Sequence, residues 1–144
     1  MRADNGGVSR HGRWLWLLAG LFAVRVAAQP LALVVESPLL PRFDTWHGGV
    51  LPYPVLLASQ LAILAWLAAR ARQATNGAVR PSRKLGRLLF GASLVYGATM
   101  TLRLALGVTL LDDHRWFASP LPTVFHIVLA AWLFVYARVH LGRA

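Results

Sequence analysis

The sequence contains no cysteine and only five acidic residues. The lack of cysteine excludes disulfide scaffolds, cysteine-ligated cofactors and thiol catalysis. Charged residues make up 14% of the chain and apolar residues 57%, whereas a soluble domain has about 25% charged residues. A phosphate-binding glycine loop, a nucleophile elbow and a nucleotide fingerprint are also missing. The composition is therefore not that of an ordinary soluble domain, and a membrane protein is the expected class.

Four long apolar runs are the main feature that is present. They cover residues 14–35, 51–69, 88–111 and 119–137, and about 20 apolar residues suffice for one helix to cross a bilayer. The runs are continuously apolar rather than alternating, which favours helices over the strands of a barrel. We therefore predict an all-α fold, an integral membrane four-helix bundle, as a single domain over residues 1–144.

The basic residues predict the orientation of these spans. Eleven of the fifteen Lys and Arg residues fall before span one, after span four or in the loop 70–87, whereas the opposite loops hold only Arg42 and Arg115. By the positive-inside rule, both termini and the loop 70–87 are cytoplasmic, in a cytoplasmic membrane of bacterial type. The loop 70–87 is expected to contact anionic lipid headgroups, so its charge calls for no nucleic-acid partner. Trp66, Trp132 and Tyr136 are predicted to lie at the cytoplasmic interface.

A cleaved secretory signal within residues 1–28 is the competing interpretation of the amino terminus. A basic segment precedes an apolar run, and Val26-Ala27-Ala28 resembles a cleavage site. Arg25 inside the run and the apolar residues 31–35 that follow it favour a retained helix.

Two features predict how the helices are arranged. Pro52-Tyr53-Pro54 and Pro120-Leu121-Pro122 open the second and fourth spans at an offset of 68 residues, which suggests two tandem helical hairpins in a parallel internal repeat. Small residues on one helix face let helices approach closely in lipid. Two alanine ridges are therefore expected to face neighbouring helices: Ala19, Ala23 and Ala27, and Ala58, Ala62, Ala65 and Ala69.

Each span also carries a strongly polar residue at a similar depth, seven to ten residues below its outer end or about 10–15 Å. Ionisable side chains at such depth usually face a protein interior or a cavity. The predicted ligand-binding residues are Arg25, Gln60, Tyr96, Arg103, His126 and Glu36. They suit an anionic or quinone-like amphiphile, because guanidinium groups match carboxylate or phosphate and the other groups can bond to oxygen atoms. The alternatives are structural ion pairs with Glu36, Asp112 or Asp113, or an acidic residue supplied by another subunit.

The outer loops contain a second set of chemically active residues. The candidate catalytic residues are His47, Asp44, Asp112, Asp113 and His114. A His and Asp pair could act as general base at a lipid headgroup, and His47 with His114 could hold a metal ion. Neither spacing matches a strong metal motif, and solvated polar loops are the simpler interpretation.

Three functions are compatible with these patterns. The first is a small protein that binds an amphiphile, or an accessory subunit of a larger membrane complex or homo-oligomer. The second is a membrane enzyme that acts on a lipid at the outer face. The third is an electron-transfer subunit that uses haem or quinone at His126, which is the only histidine in the middle of a predicted span.

Overall fold

Four long helices make up almost all of the chain that the computed structural model describes, which is residues 5–34, 52–109 and 120–142. They are α1 (Asn5–Val34), α2 (Tyr53–Thr75), α3 (Arg83–Thr109) and α4 (Pro120–Leu141). Each contains a stretch long and apolar enough to cross a membrane. The predicted all-helical class with four membrane-spanning candidates is confirmed, and it indicates an integral membrane protein.

The ends of α2 follow from its flanking residues. Pro52 precedes the helix and Pro54 lies in its first turn, where the missing N–H would have no partner inside the helix. At the other end the Asn76 N–H still donates to the Arg72 carbonyl, at 2.9 Å, and Gly77 takes a positive φ of 69°. Helical hydrogen bonding thus continues past the apolar run, so the basic segment predicted as the loop 70–87 is helical at both ends.

The helices pack in the order α2, α1, α4, α3. Within the described ranges, α1 packs against both α2 and α4, whereas α3 packs extensively only against α4. The buried core lies where α1, α2 and α4 meet, and its main members are Leu15, Ala19, Phe22, Leu67, Ala71, Trp132 and Tyr136. Helix α4 is therefore the element that joins the two sides of the molecule.

Trp132 holds α4 against α1. Its side chain is fully buried, and its indole N–H donates to the backbone carbonyl of Leu15 at 3.1 Å. Its ring stacks on the Tyr136 ring, with 5.1 Å between the ring centres, and contacts the Trp66 ring, with 5.4 Å between the centres. Trp66 is partly exposed, as expected for an interface residue. Trp132 and Tyr136 are core residues instead, because the close approach of α1 gives the indole N–H a partner.

The alanine ridge predicted on α2 does not face a neighbouring helix. Ala58, Ala62, Ala65 and Ala69 are all exposed. The buried residues of α2 are Gln60, Leu67, Ala71 and Ala74, and Leu57 and Leu64 pack beside them. Ala58 precedes Gln60 by two residues, which places it about 200° away around the helix. In lipid an apolar residue is accommodated on either face, so apolar character did not identify the packing face.

On α1 the predicted alanine ridge is only partly buried. Ala19 is buried, Ala23 is intermediate and Ala27 is exposed. A repeat of four residues turns about 40° away from a helix face at each step, so the ridge leaves the contact after one turn.

The predicted internal repeat matches residues of α2 with residues of α4 that differ from them in burial. Ala62 and Ala69 on α2 are exposed, whereas Ala130 and Ala137, their counterparts on α4, are buried. The difference arises because α4 has neighbours on two sides and α2 is peripheral. The internal repeat stays a prediction.

Candidate functional site

Arg25 is buried in the interior of the bundle. Only 7% of its surface is exposed, and the guanidinium carbon lies 5.2 Å from the centre of the Phe125 ring on α4. The Nε atom has no hydrogen-bond partner among the residues that the structure describes. The aromatic face stabilises the cation by about 0.5–2 kcal/mol, which is less than the several kcal/mol that burying a charge costs. Among the residues that the structure describes, the contacts of Arg25 therefore do not fully compensate the burial of its charge.

Tyr96 and His126 form a hydrogen-bonded pair between α3 and α4. The Tyr96 hydroxyl lies 2.5 Å from His126 Nδ1. The two rings pack edge to face, with 6.0 Å between their centres. This contact occupies Nδ1, so Nε2 is the ring nitrogen that a ligand would contact. When the hydroxyl donates, Nε2 carries the imidazole proton and is itself a donor.

The charges of Arg25 and Arg103 both act on the imidazole of His126. Arg25 on α1 and Arg103 on α3 both lie near enough to His126 for their charges to act on it. Arg103 is half-buried. We call Arg25, Tyr96, Arg103, Phe125 and His126 the polar cluster. Its members come from three helices, α1, α3 and α4.

Gln60 is buried on α2, with 4% of its surface exposed. Its Oε1 atom has no hydrogen-bond partner within the described ranges, so no hydrogen bond of that atom joins it to the polar cluster. Two further polar residues are also buried, Gln29 on α1, whose place on the same helix face as Arg25 the sequence indicated, and Thr123 on α4. Each lies one helical turn from a predicted residue, Gln29 four residues after Arg25 and Thr123 three before His126. This spacing places each of them on the same helix face as a predicted residue, and it is the feature of the sequence that indicates their burial.

The remaining predicted residues lie outside the described residues. They are Glu36, Asp44, His47, Asp112, Asp113 and His114. No Asp or Glu occurs in the described ranges. The described part of the bundle therefore offers the polar cluster no acidic side chain.

His140 is a buried histidine that sequence reasoning missed. It lies near the end of α4, with 3% of its surface exposed, beyond the predicted end of the span at residue 137. His126 is therefore not the only histidine enclosed by the helices. Within the described ranges no three His, Asp or Glu side chains could jointly hold a metal ion. His126 Nε2 is the atom of the polar cluster suited to bind a haem iron.

Comparisons with protein-family models, curated proteins and solved structures find no match to this chain.

Proposed function

We propose that this protein binds the anionic head of an amphiphile inside the membrane, at the polar cluster. The observation that carries the proposal is the burial of Arg25, which keeps a permanently charged side chain inside the bundle with an unsatisfied Nε. A guanidinium group remains protonated in proteins, so a buried arginine is stabilised by a counter-ion rather than by loss of its proton. No residue in the described ranges is acidic, and we propose that the counter-ion is an anion bound from outside the chain.

The shape of the guanidinium group favours an oxyanion. Carboxylate and phosphate oxygens can accept two parallel hydrogen bonds from one arginine. Arg103 adds a second positive charge from α3, and His126 Nε2 adds a donor when Tyr96 donates to Nδ1. The chemistry shared by the candidate ligands is thus an oxyanion head attached to an apolar tail that lies among the helices or in lipid.

A quinone-like ligand is the second candidate, and the Tyr96 and His126 pair favours it. The pair can orient one imidazole N–H toward a carbonyl oxygen, which needs a donor and no full counter-charge. In that case His126 makes the principal contact and Arg25 contributes less. The two candidates therefore differ in which side chain their binding depends on.

The membrane setting of the proposal rests on charge distribution. We propose that both termini and the basic segment between α2 and α3 are cytoplasmic, which places the polar cluster in the outer half of a cytoplasmic membrane of bacterial type. The two tandem hairpins, a homo-oligomer and a role as accessory subunit belong to the same proposal. The enzymatic and haem-linked alternatives remain predictions. The residues of the enzymatic site lie outside the described ranges, and a haem would have His126 as a single axial ligand.

A titration of the purified protein in non-ionic detergent tests this proposal. The probes are oleate, dodecyl phosphate and decylubiquinone, with binding read by native mass spectrometry. We expect Arg25→Gln to weaken oleate and dodecyl phosphate about tenfold or more, because a charge-assisted hydrogen bond contributes about 1.5–3 kcal/mol. Arg13→Gln is the matched control, since Arg13 is an exposed residue of the same helix, and it should retain wild-type affinity.

The outcomes separate the two candidates. Loss of decylubiquinone binding in His126→Phe, with no effect of Arg25→Gln on any probe, would select the quinone-like ligand. Equal affinity of all variants for all probes would overturn both.

A further inference from the structure

A second site lies at the opposite, basic end of the bundle. A groove of about 550 Å³ opens between α2 and α3, within the range of about 300–1,000 Å³ that small-molecule sites occupy. Its walls are formed by the end of α2, the segment that follows it and the start of α3, and α4 contributes Tyr136 and His140. The gap exists because, within the described ranges, α2 packs extensively only against α1 and α3 only against α4.

His140 is an unexplained polar group in this groove. Its side chain is 97% buried, since 3% of its surface is exposed, and neither Nδ1 nor Nε2 has a hydrogen-bond partner among the described residues. The His140 ring packs edge to face on the Tyr136 ring, with 4.9 Å between the ring centres. This contact fixes the plane of the imidazole but gives neither nitrogen a hydrogen bond. A buried polar atom without a partner costs about 1–3 kcal/mol. Two such atoms on one groove-lining residue could each form a hydrogen bond with a bound ligand.

Two arginines make the groove positive. Arg70 lies near enough to His140 for its charge to act on the imidazole, and Arg80 lines the same groove. The Arg70 guanidinium donates to Gln73 Oε1 at 2.9 Å and lies 5.8 Å from the centre of the Trp66 ring. These contacts hold it at the groove with further N–H donors available.

The rest of the lining is apolar and aromatic. Trp66, Leu85, Leu89 and Tyr136 line the groove, and Trp66 and Leu85 are both at least 40% exposed. An occupant must therefore present an anion to the arginines and hydrocarbon to the aromatic wall. A free phosphate ion meets only the first condition, whereas a membrane phospholipid meets both.

We propose that this groove binds one anionic phospholipid whose headgroup carries a hydroxyl, such as phosphatidylglycerol. The phosphate would lie between Arg70 and Arg80, where guanidinium groups bind phosphate oxygens in pairs. A neutral imidazole has one N–H donor and one acceptor nitrogen. His140 would thus donate to a phosphate oxygen and accept from the headgroup hydroxyl, and the acyl chains would lie along Trp66 and the leucines. This site is independent of the polar cluster.

Two double variants with equal loss of charge test the proposal. Arg70→Gln/Arg80→Gln removes the groove charges, and Arg72→Gln/Arg87→Gln removes two exposed arginines from the same basic segment. Affinity for dioleoyl phosphatidylglycerol and dioleoyl phosphatidylcholine is measured by native mass spectrometry in non-ionic detergent. We expect a single tight phosphatidylglycerol site in the wild type, weakened about a hundredfold in the groove variant and unchanged in the control. An equal loss of phosphatidylglycerol affinity in both variants would mean that binding depends only on the general surface charge, and it would overturn the proposal.

A measurement on the wild-type protein covers the case in which the groove variant does not fold. Phosphatidylglycerol should shift the ¹⁵N resonances of the His140 ring, identified by their loss in His140→Phe, and phosphatidylcholine should leave them unmoved. Arg25→Gln should not alter this response, which keeps the result separate from the function proposed for the polar cluster. Unmoved His140 resonances at saturating phosphatidylglycerol would overturn the proposal.

Discussion

The Tyr96 hydroxyl on α3 lies 2.5 Å from Nδ1 of His126 on α4. This pair is a side-chain hydrogen bond between two helices within the polar cluster. It fixes which imidazole nitrogen is left for a ligand, and it joins α3 to the helix that Arg25 contacts through Phe125. Changes to either partner should therefore affect both helix packing and the chemistry at Nε2.

Removal of the Tyr96 hydroxyl should leave Nδ1 of the His126 imidazole without its hydrogen bond. In Tyr96→Phe we expect the free energy of unfolding to fall by about 0.6 kcal/mol, the average for hydrogen bonds between membrane helices, and by at most about 1.7 kcal/mol. Because Nδ1 loses its partner, the balance of the two imidazole tautomers should change, which is measured from the ¹⁵N chemical shifts of His126. The control is Thr99→Val, since the Thr99 hydroxyl donates to the Val95 carbonyl of its own helix at 2.8 Å. A His126 spectrum that is the same in Tyr96→Phe and in the wild type would contradict this prediction.

Trp132 should contribute more to stability than any exposed tryptophan. Trp132→Phe removes the indole donor to Leu15 and leaves a void in a fully buried position, so we expect a loss of about 1–3 kcal/mol. Trp14→Phe is the matched control, because Trp14 is 53% exposed. Thermal unfolding in detergent, followed by circular dichroism, measures both variants. Equal midpoints for the two variants would show that the contact between α1 and α4 does not depend on Trp132.

Gly86 marks a close approach of α3 to α4. A Cβ atom at this position would lie 2.8 Å from two side-chain atoms of Leu141 and 3.1 Å from Cβ of His140. Gly86→Ala should therefore destabilise the protein by about 1–3 kcal/mol through overpacking, offset by up to about 1 kcal/mol of improved helix propensity. At Gly91 on the same helix nothing lies within 4 Å of an added Cβ, so Gly91→Ala should not lower the unfolding midpoint. The prediction fails if both variants have the same midpoint.

The number of long apolar helices could be predicted from the sequence because it depends on composition along the chain. Burial of Arg25 and Gln60 could be expected because a charged or amide group is costly in hydrocarbon. The packing faces could not, since lipid accommodates Ala58 as readily as a neighbouring helix does. Trp132 was expected at the interface and is buried, because its hydrogen bond depends on where α1 lies. The enclosure of His140 likewise arises from the arrangement of α2, α3 and α4, which no local pattern encodes.

Replacement of Arg25 by an apolar residue should reveal a conflict between stability and function. Arg25→Met keeps much of the side-chain length but removes a buried charge, and exchange of buried ionic groups for apolar ones often stabilises a protein by about 1–4 kcal/mol. The loss of the contact with Phe125 offsets about 0.5–2 kcal/mol of that gain. We therefore expect delipidated Arg25→Met to unfold at a temperature equal to or above that of the wild type, while its affinity for oleate falls. Arg13→Met, at an exposed position of α1, should change neither property. A clear drop in the unfolding temperature of Arg25→Met would instead mean that Arg25 is paired within the chain and stabilises the fold, and the case for an external anion at the polar cluster would be lost.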